Sequence, residues 1–538
     1  MDWKWPVHFC YLLGTIGQFV YIGRITSNLW LVDVEGSKPF RPQFHDPKVI
    51  NQPLGSHLIN EDNHMPKTIN VLFLAAEAEP FIKVGGLGDV AGSLPRALRA
   101  LSNDDVKLDV RLVIPHHPAV KADNLKPLGM FSLKHGDTEI QVEASETTLH
   151  GMPVYFIGGE PISANGSVYS SNARLDAEKY IFFSLAALEL PRQINWQPDV
   201  IHANDWHTAI SVYGSLTKRW EGGERHVASV LTLHNLPFMG PDSSSIIESY
   251  GLQLAQTDLP DWARVMPLPL GLWASDAIVA VSPTYGNEIM QPEYGCGLND
   301  FFQSRRETVS GILNGLDTVS FNPAEDMALG VNFDSTSLEK RAPNKGTLQS
   351  RLGLPVDPEI PLLAMVTRMD VQKGVDLALT ALKSMKNIKW QAVILGTGDP
   401  KLEEAALDLQ AMYPERVKVE TRYDAGLARQ IYAGSDMLLM PSRYEPCGLS
   451  QMIAMRYGCV PIVRAAGGLN DTVQHGETGF VFQKAHHLSL LAAVKSALKV
   501  YSDREKWGIM QRAGMAQDFS WENSAKKYLQ LYQSIIKS

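Results

Sequence analysis

Cysteine is scarce in this chain: Cys10, Cys296, Cys447 and Cys459 are the four among 538 residues. They form no CxxC pair and no zinc-ligand spacing, which argues against a disulfide framework and fits a reducing, cytoplasmic setting. Blocks of consecutive Lys and Arg are also missing, and the formal net charge is -9. Nothing therefore points to a nucleic-acid partner. Near the N-terminus, Phe9 to Ile22 is apolar but broken by two Gly, a Thr and a Gln. That run is too short to span a bilayer, and no small-residue cleavage site follows it cleanly. A soluble protein with no membrane partner is expected.

What is present is length. A chain of 538 residues exceeds what one hydrophobic core serves, so two or more domains are expected. Residues 1–64 stand apart. Phe19 to Gly23 and Leu29 to Val34 are strand-like, flank the polar connection Arg24 to Asn28, and weakly resemble one hairpin of a propeller-type repeat. A single hairpin is only marginally stable alone. Lys38 to His64 reads as a linker rich in Pro, Asn and His. Met65 directly precedes the first strong strand. Two readings of 1–64 stay open: an accessory segment, or a stretch not native to the chain.

After Met65, short buried strands alternate with helical stretches. The first half has strands at Asn70 to Ala75, Asp109 to Ile114, Val154 to Ile157, Val200 to His202, Val227 to Leu233 and Asp276 to Val281. The second has Leu362 to Val366, Ala392 to Leu395, Val417 to Glu420, Met437 to Met440, Val460 to Val463 and Phe480 to Phe482. Helices are expected over Val90 to Ala100, Asp376 to Ser384, Leu402 to Ala411 and Trp521 to Ile536. Runs this apolar, without alternation, fit parallel sheets covered on both faces. The fold class is α/β, with two Rossmann-like, doubly wound domains facing across a cleft. The expected boundaries are 65–313 and 314–515. A terminal segment, 516–538, is expected to pack its helix back on the first domain.

Ligands of open α/β sheets bind beyond the carboxyl ends of the strands, and the unusual motifs lie there. Pro441 to Val473 places a lone carboxylate, Glu445, after a strand, then Gly448 before a helix and Gly467-Gly468 before another. Helix starts and Gly-Gly loops suit a phosphate. Lys83 to Val90, KVGGLGDV, supplies Lys83 with Gly85, Gly86 and Gly88; a plain strand-to-helix turn is equally good on local grounds. In HANDWHTA, Asp205 is either a cleft carboxylate or a helix N-cap, and His202 could be a satisfied core histidine. His234 of TLHNLPFMG faces a cleft or makes a His-Asn turn. Arg368 and Lys373, five residues apart in VTRMDVQKG, offer two cations that would converge on a diphosphate. Gly396 of LGTGD shapes a wall. No metal is implied, because the spacing lacks further ligands.

The ordered set KVGGLGDV, HANDWH, TLHN, VSPTY, GILNGLD, TRMDVQKG, LGTGDP and SRYEPCGLSQ resembles the bacterial glycogen synthase and plant starch synthase family, glucosyltransferases of the GT-B architecture. The resemblance runs from Met65 to about Ser538. It implies retaining transfer of glucose from a nucleotide sugar to the 4-hydroxyl of an α-1,4-glucan, with no metal or cofactor. ADP-glucose is the implied donor, with UDP-glucose open. It further implies donor binding by Lys83, a cleft role for Asp205, and a contact of His234 with the 6-hydroxyl. Arg368 and Lys373 would hold the diphosphate, and Glu445 would face the glucose. The chain departs from the common pattern at Val84 and Ala466, where Thr is usual. It also departs at Pro237-Phe238-Met239 and over Met266 to Trp273. These departures keep two alternatives in view: transfer to a small acceptor, or a weakened glucan-binding paralogue.

Overall fold

The computed structural model describes residues 67–536 except 104, 165 and 223–225. The readings of residues 1–64 lie outside the described residues. Two sheets organise the rest. The first contains β1 (Lys67–Leu74), β2 (Val106–Pro115), β3 (Lys126–His135), β4 (Thr138–Leu149), β5 (Met152–Gly158), β6 (Val200–Asn204), β7 (Ala228–Leu233), β8 (Ala277–Ala280) and β9 (Val309–Gly311). Their order is β3-β4-β5-β2-β1-β6-β7-β8-β9. The second contains β10 (Leu362–Val366), β11 (Gln391–Leu395), β12 (Val417–Glu420), β13 (Met437–Met440), β14 (Val460–Arg464) and β15 (Phe480–Phe482), in the order β12-β11-β10-β13-β14-β15.

Each strand order reverses around its first strand, β1 or β10, and that reversal opens a crevice at the carboxyl edge. Apolar residues on successive positions dictate the arrangement. Val71, Leu72, Phe73 and Leu74 of β1 are all buried, as are Leu362 to Met365 of β10. Such strands need cover on both faces, which parallel crossovers with helices provide. All six second-half strands coincide with the apolar runs in the sequence. The helices Val375–Lys383 and Pro400–Met412 lie within two residues of expectation.

The first sheet differs from expectation in two places: the short edge strand β9 was not anticipated, nor was a hairpin at the other edge. β3 and β4 form an antiparallel hairpin, and β4 pairs antiparallel with β5. β3 is mostly exposed, so it carries no apolar run to betray it. The helix Gly86–Ala100 also starts four residues before Val90, because its first turn is built from glycines that read as loop.

The helix Trp521–Ile535 returns to the first sheet. Tyr532 Oη meets His202 Nδ1 of β6 at 2.7 Å, and Thr232 Oγ1 meets His202 Nε2 at 2.8 Å. His202 is thus the satisfied core histidine, fully buried. Beside it, Leu316 N–H donates to Phe519 at 2.6 Å, so the outgoing and returning segments between the halves run side by side. Among the described residues no helix is long and apolar enough to cross a membrane.

Candidate active site at the facing carboxyl edges

Glu445 follows β13 and is 5 % exposed. Its carboxylate accepts two bonds from Lys373 Nζ, at 2.8 and 2.7 Å, and one from Ser442 Oγ at 3.0 Å. Local stitching makes this pair. Arg443 N–H donates to Gln372 O at 2.7 Å, and Gln372 Nε2 donates to Tyr444 O at 3.0 Å. The loop after β10 is thereby held against the loop after β13. The two cations, expected to converge on a diphosphate, are each held by a carboxylate in this structure. Lys373 lies on Glu445, whereas Arg368 is two-thirds exposed and 3.3 Å from Asp370.

The Gly-Gly loop is a packing device as well as a helix start. Gly467 has φ +41, and a Cβ there would lie 2.0 Å from Glu445 O; one on Gly468 would lie 2.2 Å from Cys447 O. Only glycines permit this approach. Their N–H groups are engaged. Gly467 donates to Glu288 Oε1 at 3.0 Å, and Gly468 to the carbonyls of Glu445 and Pro446 at 3.2 and 3.1 Å. In this structure the amide of Gly468, which the sequence reading offered to a phosphate, serves the Glu445 loop instead. Gly448 lies against Gln451, and Gly396 against the Thr367 carbonyl. Ala466 caps the helix Gly467–Thr472 with no side-chain bond.

In the first half, Lys83 bonds to Glu79 at 3.0 Å and to Asp89 at 2.6 Å. Burial pushes the Asp89 carboxyl up to about 6 despite the Lys83 cation. Glu77, 1 % exposed, lies beneath the glycine loop. It accepts the N–H of Val84, that of Gly85 at 3.1 Å and the Tyr169 hydroxyl at 3.0 Å. Burial raises its carboxyl above the usual range, against those bonds. Gly85 caps the helix Gly86–Ala100, Gly86 borders open space, and Gly88 packs on the Lys83 stem.

Asp205 has φ +55, a left-handed conformation that few residues other than Gly, Asn and Asp adopt. Its carboxylate does not cap its own helix. Oδ1 accepts the N–H of His234 at 2.8 Å and of Asn235 at 3.3 Å. Asp205 therefore fixes the loop that carries His234. Burial lowers the His234 imidazole and keeps it neutral. Its Nε2 meets Asn204 Oδ1 at 2.9 Å; an oxygen acceptor there puts the proton on Nε2 and leaves Nδ1 a lone-pair acceptor.

The two edges touch. Thr284 bonds to Asp471 through its N–H at 2.8 Å and its hydroxyl at 2.6 Å. Ser282 Oγ donates to Pro446 O at 2.6 Å, and Tyr444 Oη to Tyr285 Oη at 2.6 Å. Tyr285 Oη in turn accepts Leu236 N–H at 3.0 Å, so a tyrosine pair links the His234 loop to the Glu445 loop. Among the described residues no cluster of His, Cys, Asp and Glu is arranged to hold a metal. A cavity of about 360 Å³ lies elsewhere, between Arg96, His150, Asp317 and Trp521, and contains none of these groups.

Sequence reasoning passed over Glu77, Asp89, Tyr169, Asn204, Tyr285, Glu288 and Tyr444. A signal existed for Glu77, a carboxylate just past a buried strand. Glu288 and the tyrosines gave none, because their partners are far away in the chain.

Comparison with known proteins bears on the same ground. The profile "Starch synthase catalytic domain" matches residues 70–304, and "Glycosyl transferases group 1" matches 350–513. A glycogen synthase from Streptococcus gordonii is 38 % identical over 488 residues, covering 87 % of this chain and all of that protein. One from Clostridium beijerinckii is 40 % identical over 482 residues, with 87 % and 99 % covered. The catalytic domain of starch synthase IV from Arabidopsis thaliana, solved with ADP and acarbose, superposes with a TM-score of 0.79 at 32 % identity, over 87 % of this chain and all of that one. Two facing parallel sheets, the motif residues gathered at their carboxyl edges, and likeness along nearly the whole described chain place this glycosyltransferase in the glycogen synthase and starch synthase family.

Proposed function

We propose that the chain extends α-1,4-glucan by retaining transfer of glucose from ADP-glucose. The observation that carries this reading is the Lys373–Glu445 pair, which sets a cation and a buried carboxylate at one edge, on a loop tied through Tyr444 and Tyr285 to the loop of the Asp205-fixed His234. A departing diphosphate gathers negative charge. Lys373 and the exposed Arg368 would stabilise it, favouring the transition state over the ground state. The glucose becomes oxocarbenium-like, and Glu445 would answer that positive character. His234 Nδ1 would accept from a sugar hydroxyl, and Lys83 would swing from its carboxylates to a phosphate. Tyr423, 81 % exposed after β12, offers a flat face to a nucleoside base. Closure of the edges would exclude water and limit donor hydrolysis.

The S. gordonii and C. beijerinckii relatives bear the name glycogen synthase, and the Arabidopsis protein was solved with ADP; both support the donor and acceptor chosen. The test is incubation with radiolabelled ADP-glucose and glycogen, with UDP-glucose in a parallel arm. Label in the polymer from the ADP arm is expected. A folded protein that labels polymer from neither donor overturns the reading, and label from the UDP arm alone overturns the donor.

A further inference from the structure

The cavity of about 360 Å³ contains no group of the transfer site, yet its volume lies within the range of small-molecule sites, about 300 to 1,000 Å³. Three pieces of chain supply its polar lining. Ser93 and Arg96 come from one face of the helix Gly86–Ala100, one turn apart. His150 comes from the turn between β4 and β5. Asp317 and Thr318 come from the crossover between the two halves, and Trp521, at the start of the returning helix, completes the wall.

The charged groups around this cavity are unequally committed. Arg99, also in the lining, donates to Asp109 Oδ1 at 2.8 Å and to Val110 O at 3.2 Å. Arg96 makes neither a hydrogen bond nor an ion pair among the described residues. Asp317 Oδ1 accepts the N–H of Val319 and of Ser320, both at 3.0 Å, which leaves Oδ2. A cation and a carboxylate oxygen thus line one space without pairing with each other. The hydroxyls of Ser93 and Thr318 and the ring of His150 also make no hydrogen bond among the described residues. Such a lining suits a ligand with an anionic end and several hydroxyls. An apolar ligand would strand every one of these groups.

The cavity's place in the fold gives an occupant leverage. Gly315 of the crossover is pressed on the returning segment, where a Cβ would lie 2.6 Å from Trp521 Cα. Beyond it the second half takes hold. Arg456 Nη2 donates to Thr318 O at 3.0 Å, and Arg429 Nη2 to Ser320 Oγ at 2.9 Å. The wall with Asp317 and Thr318 is therefore tied to the second half, whereas Arg96 and His150 belong to the first. A ligand that spans both walls selects one disposition of the halves. The disposition seen here is the one in which the edges touch, through Thr284 and Asp471. The helix Gly86–Ala100, about 22 Å long, also runs from the glycine loop of Lys83 to the cavity.

We propose that this crossover cavity is an effector site for a small sugar phosphate, whose binding holds the two edges together and so strengthens the grip on the donor. Arg96 takes the phosphate with its planar fork, beside His150. Ser93, Thr318 and Asp317 Oδ2 take the hydroxyls of the sugar. Binding there and donor binding favour the same disposition of the halves, so each raises the affinity for the other by the same factor. The site stands on its own lining; its effect on transfer rests on the glucan-extending reading.

The test is calorimetric titration of the full chain with fructose 6-phosphate as the probe. Binding is expected, and Arg96→Gln should weaken it about tenfold or more. Arg96→Lys, which keeps the charge and loses the fork, should recover part of that loss. Arg96 holds nothing in the fold, so the unfolding midpoint of Arg96→Gln should match that of the unaltered chain. Inorganic phosphate and fructose, added separately, should each bind about tenfold more weakly than the joined compound. With ADP present the affinity for fructose 6-phosphate should rise about fivefold, and the probe should tighten ADP equally. The KM for ADP-glucose should fall in step. Absence of binding, or binding that Arg96→Gln leaves unchanged, overturns the site. Inorganic phosphate that binds as tightly as the probe overturns the sugar half of it. An ADP affinity that the probe leaves unchanged or lowers overturns the coupling. A chain that labels no polymer yet binds the probe through Arg96 keeps the site and loses the proposed activity.

Discussion

Replacing Lys373 by Met separates what the Lys373–Glu445 pair does for the fold from what it does for transfer. The side chains are 19 % and 7 % exposed and share two bonds of 2.8 and 2.7 Å. Taking one partner from a buried ion pair costs about 3 to 5 kcal/mol, since the other charge stays buried and uncompensated. Ser442 Oγ still reaches Glu445, and a fifth of Lys373 is already wet, so about 2 to 3 kcal/mol is expected here. Loss of a charge that acts on the departing diphosphate should lower kcat roughly 10² to 10³-fold. The double variant Lys373→Met/Glu445→Gln leaves no buried charge. Its stability should return to within about 1 kcal/mol of the unaltered chain, while activity stays lost. Urea unfolding and initial rates with ADP-glucose and glycogen measure the two quantities. A single variant within about 0.5 kcal/mol of the unaltered chain would refute the buried-pair argument, and an active double variant would refute the role in transfer.

Two further outcomes follow from groups nearby. The folded-state Asp89 carboxyl is raised from 3.8 to about 6, so between those values the folded chain holds a proton that the unfolded chain has released. Its contribution to stability is therefore full below pH 4 and lost as pH rises through 6, by up to about 3 kcal/mol. Asp89→Asn should flatten the change in unfolding free energy between pH 4 and 6; equal slopes for the two proteins would count against it. Ala466→Ser supplies an N-cap oxygen to the helix Gly467–Thr472 and should add about 1 kcal/mol. A fall in the unfolding midpoint would mean that the new hydroxyl is buried without its bond.

Much of this was legible because burial writes itself into parallel strands. The runs at Leu362 to Val366 and Met437 to Met440 show their ends directly in the residues, and the ends position Arg368 and Glu445. The hairpin β3–β4 stayed hidden because a mostly exposed edge strand has no reason to be apolar. Lys83, Asp205, His234 and Glu445 stood out by their place past buried strands, though the first three each had a structural alternative on local grounds. Pairing at the site was not legible. Lys373 and Glu445 are 72 residues apart, and their meeting depends on the stitching of Gln372 to Arg443 and Tyr444, which no local pattern encodes. Asp205 shows the same limit: its position before a helix suggested a cap, and its left-handed backbone turns the carboxylate to the next strand's loop.

The carboxylates around the phosphate-seeking groups have a consequence for how a donor comes and goes. Lys83 is answered by Glu79 and Asp89, Lys373 by Glu445, Arg368 by Asp370, and the amide of Gly467 by Glu288. On the proposed site, a diphosphate entering here would take over bonds already made, so its arrival would be an exchange of anions more than a neutralisation of bare charge. The net attraction is a difference between similar interactions, which makes for modest grip and weak dependence on salt. After transfer the process would run in reverse, with the chain's own carboxylates reclaiming the cations as the spent nucleotide leaves. An enzyme that must add unit after unit to one polymer gains from a site that ejects its leaving group as readily as it admits the donor.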